Sequence, residues 1–428
     1  MEANNKSCSQ IVVLGAGFGG LTFCQKFADP HAHVIVVDKQ NYHLFQPLLY
    51  QVATAGLSAP DIAQPVRSIL RNKSNLTVLL ESVTGIDLAK QQVLLKSGPL
   101  NYDYLVLSLG SATSYFGHPE WELAAPGLKS VDDALRIRHQ ILLSFERAEH
   151  SLSEIEKARL MSIVVIGGGP TGVELAGAFA ELTRRVLRRD FRRIDPQQAR
   201  VILVEGGPRL IPQFSERLSA KAQQQLEDLG VEVRINTKVG SVSDGYLIFE
   251  NGQQINSANI IWAAGTSASP ITRKLGVELD RSGRILVNPD LSLPGHAEVF
   301  AIGDLAAVTD QQGNFLPGVS PAAIQMAQHV ALVLEMELSG DDSRPDPRPD
   351  FHYHNKGMMT TVGRSAGIAQ IGRFEFSGWL AWIAWLLVHL IFLIGFKNKA
   401  AVLLQWTHSY FTYKSGSRII TGSDDPAK

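Results

Sequence analysis

Sulfur is scarce in this 428-residue chain, which has two cysteines, Cys8 and Cys24, and six methionines. Two thiols so close to one end cannot staple a fold, which excludes a disulfide framework and points to a reducing compartment or a shielded thiol. A surplus of charge is missing as well. Forty basic side chains meet 41 acidic ones, so the totals give no basic excess for nucleic acid and too little net charge for disorder in a chain that is 45% hydrophobic. The first ten residues, MEANNKSCSQ, hold no apolar run of signal-peptide type, and the chain is expected to begin in the cytoplasm. No His, Cys, Asp or Glu cluster has metal-ligand spacing, so no metal is expected. The longest strongly apolar run is WLAWIAWLLVHLIFLIGF at 379–396. What remains is a globular composition, long enough for two or three domains.

A duplication organises the chain. IVVLGAGFGG at 11–20 is an apolar run entering a glycine-rich turn, and IVVIGGGPTG at 163–172 repeats it. Each is followed by a helical pattern and a second apolar strand, VIVVD at 34–38 and VILVE at 201–205. Each then runs through a strand succession ending at Gly110 or Gly265. Such alternation predicts an α/β fold with two Rossmann-like dinucleotide-binding domains built on parallel sheets. The predicted boundaries are 8–115 with 290–350 for the first domain and 116–289 for the second. A Pro/Asp-rich hinge at 343–350 precedes a C-terminal section, 351–428, of a hairpin and apolar helices.

Gly15, Gly17 and Gly20 form G-x-G-x-x-G between strand and helix, with Asp38 ending the next strand. This is the dinucleotide fingerprint in its structural context: a tight turn, backbone amides near a pyrophosphate, and an acid for the ribose hydroxyls. Gly167, Gly169 and Gly172 repeat it with Glu205 as the acid, after a longer interval filled by ELTRRVLRRDFRRIDP, read as a helical extension. Two dinucleotide sites in one chain suit a flavin beside a nicotinamide. A carboxylate at Glu205 accepts from a free 2′-hydroxyl and repels a 2′-phosphate, which predicts NADH over NADPH.

With these motifs, and with NYHLFQPLLYQVATAG at 41–56, LVLSLGSATSYFG at 105–117, WAAGTSASP at 262–270, FAIGDLAA at 300–307 and LPGVSPAAIQMAQ at 316–328, the chain resembles the type II NADH:quinone oxidoreductases over nearly its whole length. The resemblance implies non-covalent FAD at the first site: Gly15, Ala16, Gly17, Gly19 and Gly20 at the pyrophosphate, Asp38 and Lys39 at the adenosine ribose, Val83 at the adenine, Gly110 near the cofactor, and Asp304 at the ribityl and phosphate region. Asp304 also has the simpler reading of a helix N-cap. NADH would take the second site, with Ala264 and Gly265 closing over it. Glu174 would lie near the nicotinamide and flavin rings and Gln325 near flavin and quinone. Their simpler readings are a first-turn carboxylate favoured by the helix dipole and a glutamine satisfied by the core or solvent. The family often has a first glutamine where this chain has Pro321. Related disulfide reductases and sulfide:quinone oxidoreductases need cysteines that this chain lacks, so the electrons are expected to leave to a non-thiol acceptor.

Trp379, Trp382 and Trp385 share one helical face in the apolar run, and AVLLQWTHSYFTYK at 401–414 is amphipathic. Both suit monotopic attachment to the bilayer surface, on the cytoplasmic face of the cell membrane; a single spanning helix is the alternative. The arginines of RRVLRRDFRR at 184–193 are read as one helical stripe, either solvated or facing anionic lipid or another subunit. The expected partners are NADH, a membrane quinone and the lipid surface, with a homodimer left open and no nucleic acid. The expected activity is NADH oxidation through FAD with reduction of a membrane quinone and no proton pumping. The rivals are a specialised naphthoquinone or phylloquinone reductase and an NADH-sensing flavoprotein with little turnover.

Overall fold

Runs of β-branched and aliphatic residues form the buried centres of the two central sheets. The computed structural model describes residues 8–339, 348–412 and 417–420. Residues 343–347 of the expected hinge and 413–414 of the second amphipathic segment lie outside them. The chain forms two units: 1–44, 63–112 and 266–355 make the first, and 45–62, 113–265 and 356–428 the second. These cuts assign 45–62 to the second unit and 266–289 to the first.

In the first unit a six-stranded sheet has the spatial order Ser292–Leu293, His296–Ala301, Tyr104–Leu107, Ser9–Leu14, Ala32–Asp38, Leu76–Leu80. All neighbours are parallel except the first pair. Ile11, Val12, Val13 and Leu14 are fully buried, as a strand covered on both faces requires, and each such side chain contributes about 1.5–3 kcal/mol. The helix Phe18–Lys26 follows the glycine turn and packs on Ser320–Ser339. Cys24 lies on that first helix with 1% exposure, and burial pushes its thiol up to about 12. A thiol held protonated in this way is a packing group.

The second unit repeats the plan with four parallel strands in the order Glu232–Arg234, Arg200–Val204, Ser162–Ile166, Asn259–Trp262. Its glycine helix is Pro170–Glu181, with proline at the start, where a missing N–H costs nothing. The extension after it is no regular helix. A π turn, Leu182–Val186, gives way to a 3-10 turn, Leu187–Arg189, so the arginines of 184–193 do not form the expected helical stripe. Buried Leu187 and Ile194 pin the segment instead.

This unit also carries the three-stranded sheet Met358–Gly363, Ala366–Ile371, Phe374–Ser377 and the helices Trp379–Phe392 and Phe396–Thr412. The apolar run at 379–396 therefore breaks after Phe392, helped by Gly395 at φ +88°. Among the described residues no helix is long and apolar enough to cross a membrane. The tryptophan face divides: Trp379 is half exposed, whereas Trp385 is buried between Tyr50 and Trp406, with its ring stacked on His389. Burial pushes the His389 imidazole down to about 4, so it stays neutral at physiological pH.

Candidate functional site

Each unit builds a cradle from its glycine turn. Gly15 sits at φ +96° and Gly167 at φ +111°, a backbone state that disfavours any side chain. A Cβ on Gly20 would stand 1.9 Å from the Gly15 carbonyl oxygen, and one on Gly172 would stand 1.8 Å from that of Gly167. Only glycine lets the helix start that close to the strand end. The middle glycines, Gly17 and Gly169, are the helix N-caps, and a Cβ there would meet nothing within 4 Å. Both cradles thus present a helix N-terminus, with its unused amides, to open space. That arrangement suits a pyrophosphate.

The strand-end acids bind their own turns. Asp38 accepts from the Ala16 N–H at 2.6 Å and the Gln40 N–H at 2.7 Å. Burial nevertheless raises its pKa, against those two bonds. Glu205 accepts from the Gly168 and Gly207 N–H groups, both at 2.6 Å. Each carboxylate oxygen retains acceptor capacity for a ribose hydroxyl.

Around the first cradle, Ser108 donates to the carbonyls of Leu14 and Gly15, and His43 contacts the Ala16 carbonyl through Nδ1 at 2.9 Å. His43 Nε2 is buried with no partner, and desolvation lowers the imidazole pKa. Asp304 lies in the 3-10 turn Gly303–Leu305, capped by Ile302, so it is not the N-cap. Its carboxylate accepts from Ser111 Oγ at 2.6 Å and lines a cleft of about 180 Å³ shared with Ser267, Arg284 and Gly318. The Gly303 N–H points to Met326 Sδ at 3.1 Å. Gly110, at φ +65°, has open space on its Cβ side, and its carbonyl accepts from Ser269. Gly19 is buried against Ile302, Lys39 is exposed, and Val83 is half-buried opposite Leu95. Gln325 is committed to the main chain: its amide donates to the His354 carbonyl and accepts from the His354 N–H.

In the second unit Ala264 passes directly against Gly167, whose added Cβ would be 2.6 Å from the Ala264 Cα. The Ala264 carbonyl accepts from the Trp262 indole, and Gly265, at φ +97°, packs under the Phe116 ring. Glu174 is the fifth residue of its helix, past the first turn, so the dipole account does not apply. A Cβ on Gly177 would fall 1.7 Å from the Val362 carbonyl oxygen, so this glycine lets the strand Met358–Gly363 lie flush on the helix. That contact delivers two bonds to the Glu174 carboxyl, from the Thr360 hydroxyl at 3.1 Å and the Thr361 N–H. The residue keeps some exposed surface, yet desolvation of the carboxyl outweighs both bonds and pushes it up to about 8. Glu181, two turns on, is also raised by burial, despite accepting the Arg364 N–H. Burial, with the charges of both glutamates adding to it, raises the Tyr50 hydroxyl well above its ordinary value; it receives a bond from the Gln51 side-chain amide, whose Oε1 accepts from Trp406 Nε1.

Ser108, Ser111, His43, Thr360 and Tyr50 were not singled out by the sequence. The signal available for His43 and Tyr50 is their place in NYHLFQPLLYQVATAG, and for Ser108 and Ser111 their place in LVLSLGSATSYFG; Thr360 has none.

Residues 9–331 match the family model described as pyridine nucleotide-disulphide oxidoreductase. The chain is similar to two proteins of Mycobacterium tuberculosis named as type II NADH:quinone oxidoreductases, Ndh and NdhA. Each is 42% identical over 96% of this chain, covering 90% and 89% of the relative. Among solved structures, that of NDH2 from Plasmodium falciparum in complex with NADH superposes with a TM-score of 0.86 at 20% identity, over 97% of this chain and all of that one, a likeness of fold.

Proposed function

The chain belongs to the pyridine nucleotide-disulphide oxidoreductases and, within them, to the type II NADH:quinone oxidoreductases, and from that premise we propose that it is a peripheral, non-pumping membrane flavoenzyme on the cytoplasmic face of the cell membrane. Its activity is the oxidation of NADH with reduction of a quinone, and its cofactors are FAD and NADH. In this reading FAD occupies the first cradle and NADH the second. Bound FAD supplies a two-electron carrier between the two substrates.

The observation that carries the reading is the duplicated glycine cradle, each copy closed by its own acid. Asp38 holds the adenosine ribose of FAD, with Asp304 and Ser111 at the ribityl chain. Glu205 holds the NADH ribose and disfavours a 2′-phosphate. Reducing a quinone with NADH takes up one proton beyond the hydride. A carboxyl at about 8 holds such a proton at neutral pH, and this is the role proposed for Glu174. Gln325, tied at both ends of its amide to His354, positions the chain around the quinone site instead of reacting.

Attachment is assigned to the exposed apolar side chains of the last two helices, among them Leu380, Leu387 and Ile391 on one and Phe396, Leu403 and Leu404 on the other. The non-pumping reading rests on the long apolar run, whose one ionisable group is His389.

The test is steady-state oxidation of NADH and of NADPH by the purified full chain with quinones of different ring and tail, alongside its flavin spectrum. Rapid quinone-dependent NADH oxidation with bleaching of bound FAD is expected. A stable charge-transfer band with negligible turnover on every quinone would favour the sensor.

A further inference from the structure

The segment 184–193 takes no part in either cradle, yet it is the most basic stretch of the chain. Its shape is built. Three consecutive main-chain N–H groups, of Arg192, Arg193 and Ile194, converge on the Glu149 carboxylate at 3.0 Å, while Leu187 and Ile194 are buried beneath. The result turns Arg188, Arg189, Arg192 and Arg193 outward, all exposed. Among the described residues no salt bridge engages these four guanidinium groups. Glu149, whose charge Arg193 feels, spends its oxygens on the three amides, and Asp190 pairs with Arg418. Four like charges in six residues, of which Arg193 alone is offset, by the charge of Glu149, repel one another, which is tolerable only in water or against an anionic surface.

Continuity with the proposed anchoring helices chooses between those two. Glu181, on the turn before the basic segment, accepts the Arg364 N–H. The Arg364 guanidinium donates in turn to the Ser409 and Tyr410 carbonyls near the end of the helix Phe396–Thr412. That helix exposes Phe396, Leu403 and Leu404. The Arg418 contact brings exposed Ile419 to the same place.

We infer that Arg188, Arg189, Arg192 and Arg193 form a docking surface for anionic phospholipid headgroups, beside the apolar helices. The inference rests on the proposed membrane attachment. It adds to it a preference for lipid charge, since each arginine near an anionic surface is worth roughly a fivefold gain in partition, lost in salt.

The test uses the full FAD-loaded chain, floated with vesicles of phosphatidylcholine alone or with about 30 mol% phosphatidylglycerol, at low and high salt. The wild type is expected to bind anionic vesicles on the order of 100- to 1,000-fold more tightly than neutral ones, and high salt to erase the difference. The quadruple variant Arg188→Gln, Arg189→Gln, Arg192→Gln, Arg193→Gln is expected to lose that preference while keeping its neutral-vesicle binding, flavin content and NADH-dependent dye reduction. Retention of the wild-type preference by the variant would overturn the inference. A changed oligomeric state in the variant with lipid preference intact would overturn it in favour of a protein contact. If the quadruple variant loses flavin, the pair Arg188→Gln, Arg189→Gln reads the same preference with a smaller expected loss, and no loss there overturns the inference. If the wild type binds neither vesicle, the membrane reading itself fails.

Discussion

The two glycine cradles are built alike, and one of the places where they differ shows how such a loop is dimensioned. In the first, the residue after the leading glycine is Ala16 and the acid is Asp38; in the second they are Gly168 and Glu205. A Cβ on Gly168 would lie 2.9 Å from the Glu205 Cβ and Oε2 and 2.6 Å from Leu210 Cδ2. Leu210 and the Glu205 side chain together fill the volume that the alanine methyl occupies in the other copy. Loop residue and acid are thus a matched pair, Ala with Asp and Gly with Glu, and both pairs give a 2.6 Å bond from the same amide. The cradle is generic, and the chemistry that separates the units lies outside it: Asp304 with Ser111 in one, Glu174 with Thr360 in the other.

The strongest way to break the comparison is to spoil one cradle and watch the other. Gly172→Ala drives a methyl into the Gly167 carbonyl, so kcat/KM for NADH should fall on the order of 100-fold or more while bound flavin is retained. Flavin lost from this variant at the rate expected for Gly20→Ala would mean that the cradles are not independent. Absorbance at flavin wavelengths after gel filtration separates the two cases.

Next in size is Glu174. Its folded pKa stands above its ordinary value of 4.5, so the native state holds a proton that the unfolded chain releases. Stability therefore falls as pH rises from about 4.5 to about 8 and levels off above. Glu174→Gln, which stays neutral, should gain on the wild type over that window by a few kcal/mol at most. It should also slow NADH-driven quinone reduction while leaving FAD bound. Melting curves at several pH values check the first claim, and a constant difference between the proteins would contradict it.

The matched pairs predict a coupling of about 1 kcal/mol or more. Gly168→Ala alone should raise KM for NADH, and adding Glu205→Asp should recover part of the loss. Additive effects would sink the volume argument. Smallest is cofactor choice, where Glu205→Gln should raise the NADPH to NADH ratio of kcat/KM about threefold.

Both cradles were legible because a strand, a glycine spacing and a terminal acid lie within one local stretch. FAIGDLAA led to Asp304, but its partner Ser111 is 193 positions away, within LVLSLGSATSYFG, where nothing marks that serine. Glu174 was legible as a carboxylate on the second glycine helix; its altered acidity was not, because Thr360 and Thr361 come from a distant strand that Gly177 admits to the helix. Two local readings failed through backbone geometry. Arginine spacing suggested a helix where the chain forms a π turn and a 3-10 turn, and the apolar run looked continuous although Gly395 marked its break.

The scarcity of thiols becomes an experimental asset once their settings are known. Cys24 is sealed in the first glycine helix, whereas Cys8 is exposed just before the first strand. In the native protein a maleimide fluorophore should couple at Cys8 alone. It would give a reporter on the first unit without any engineered residue, and coupling at Cys24 would then count opening of the core.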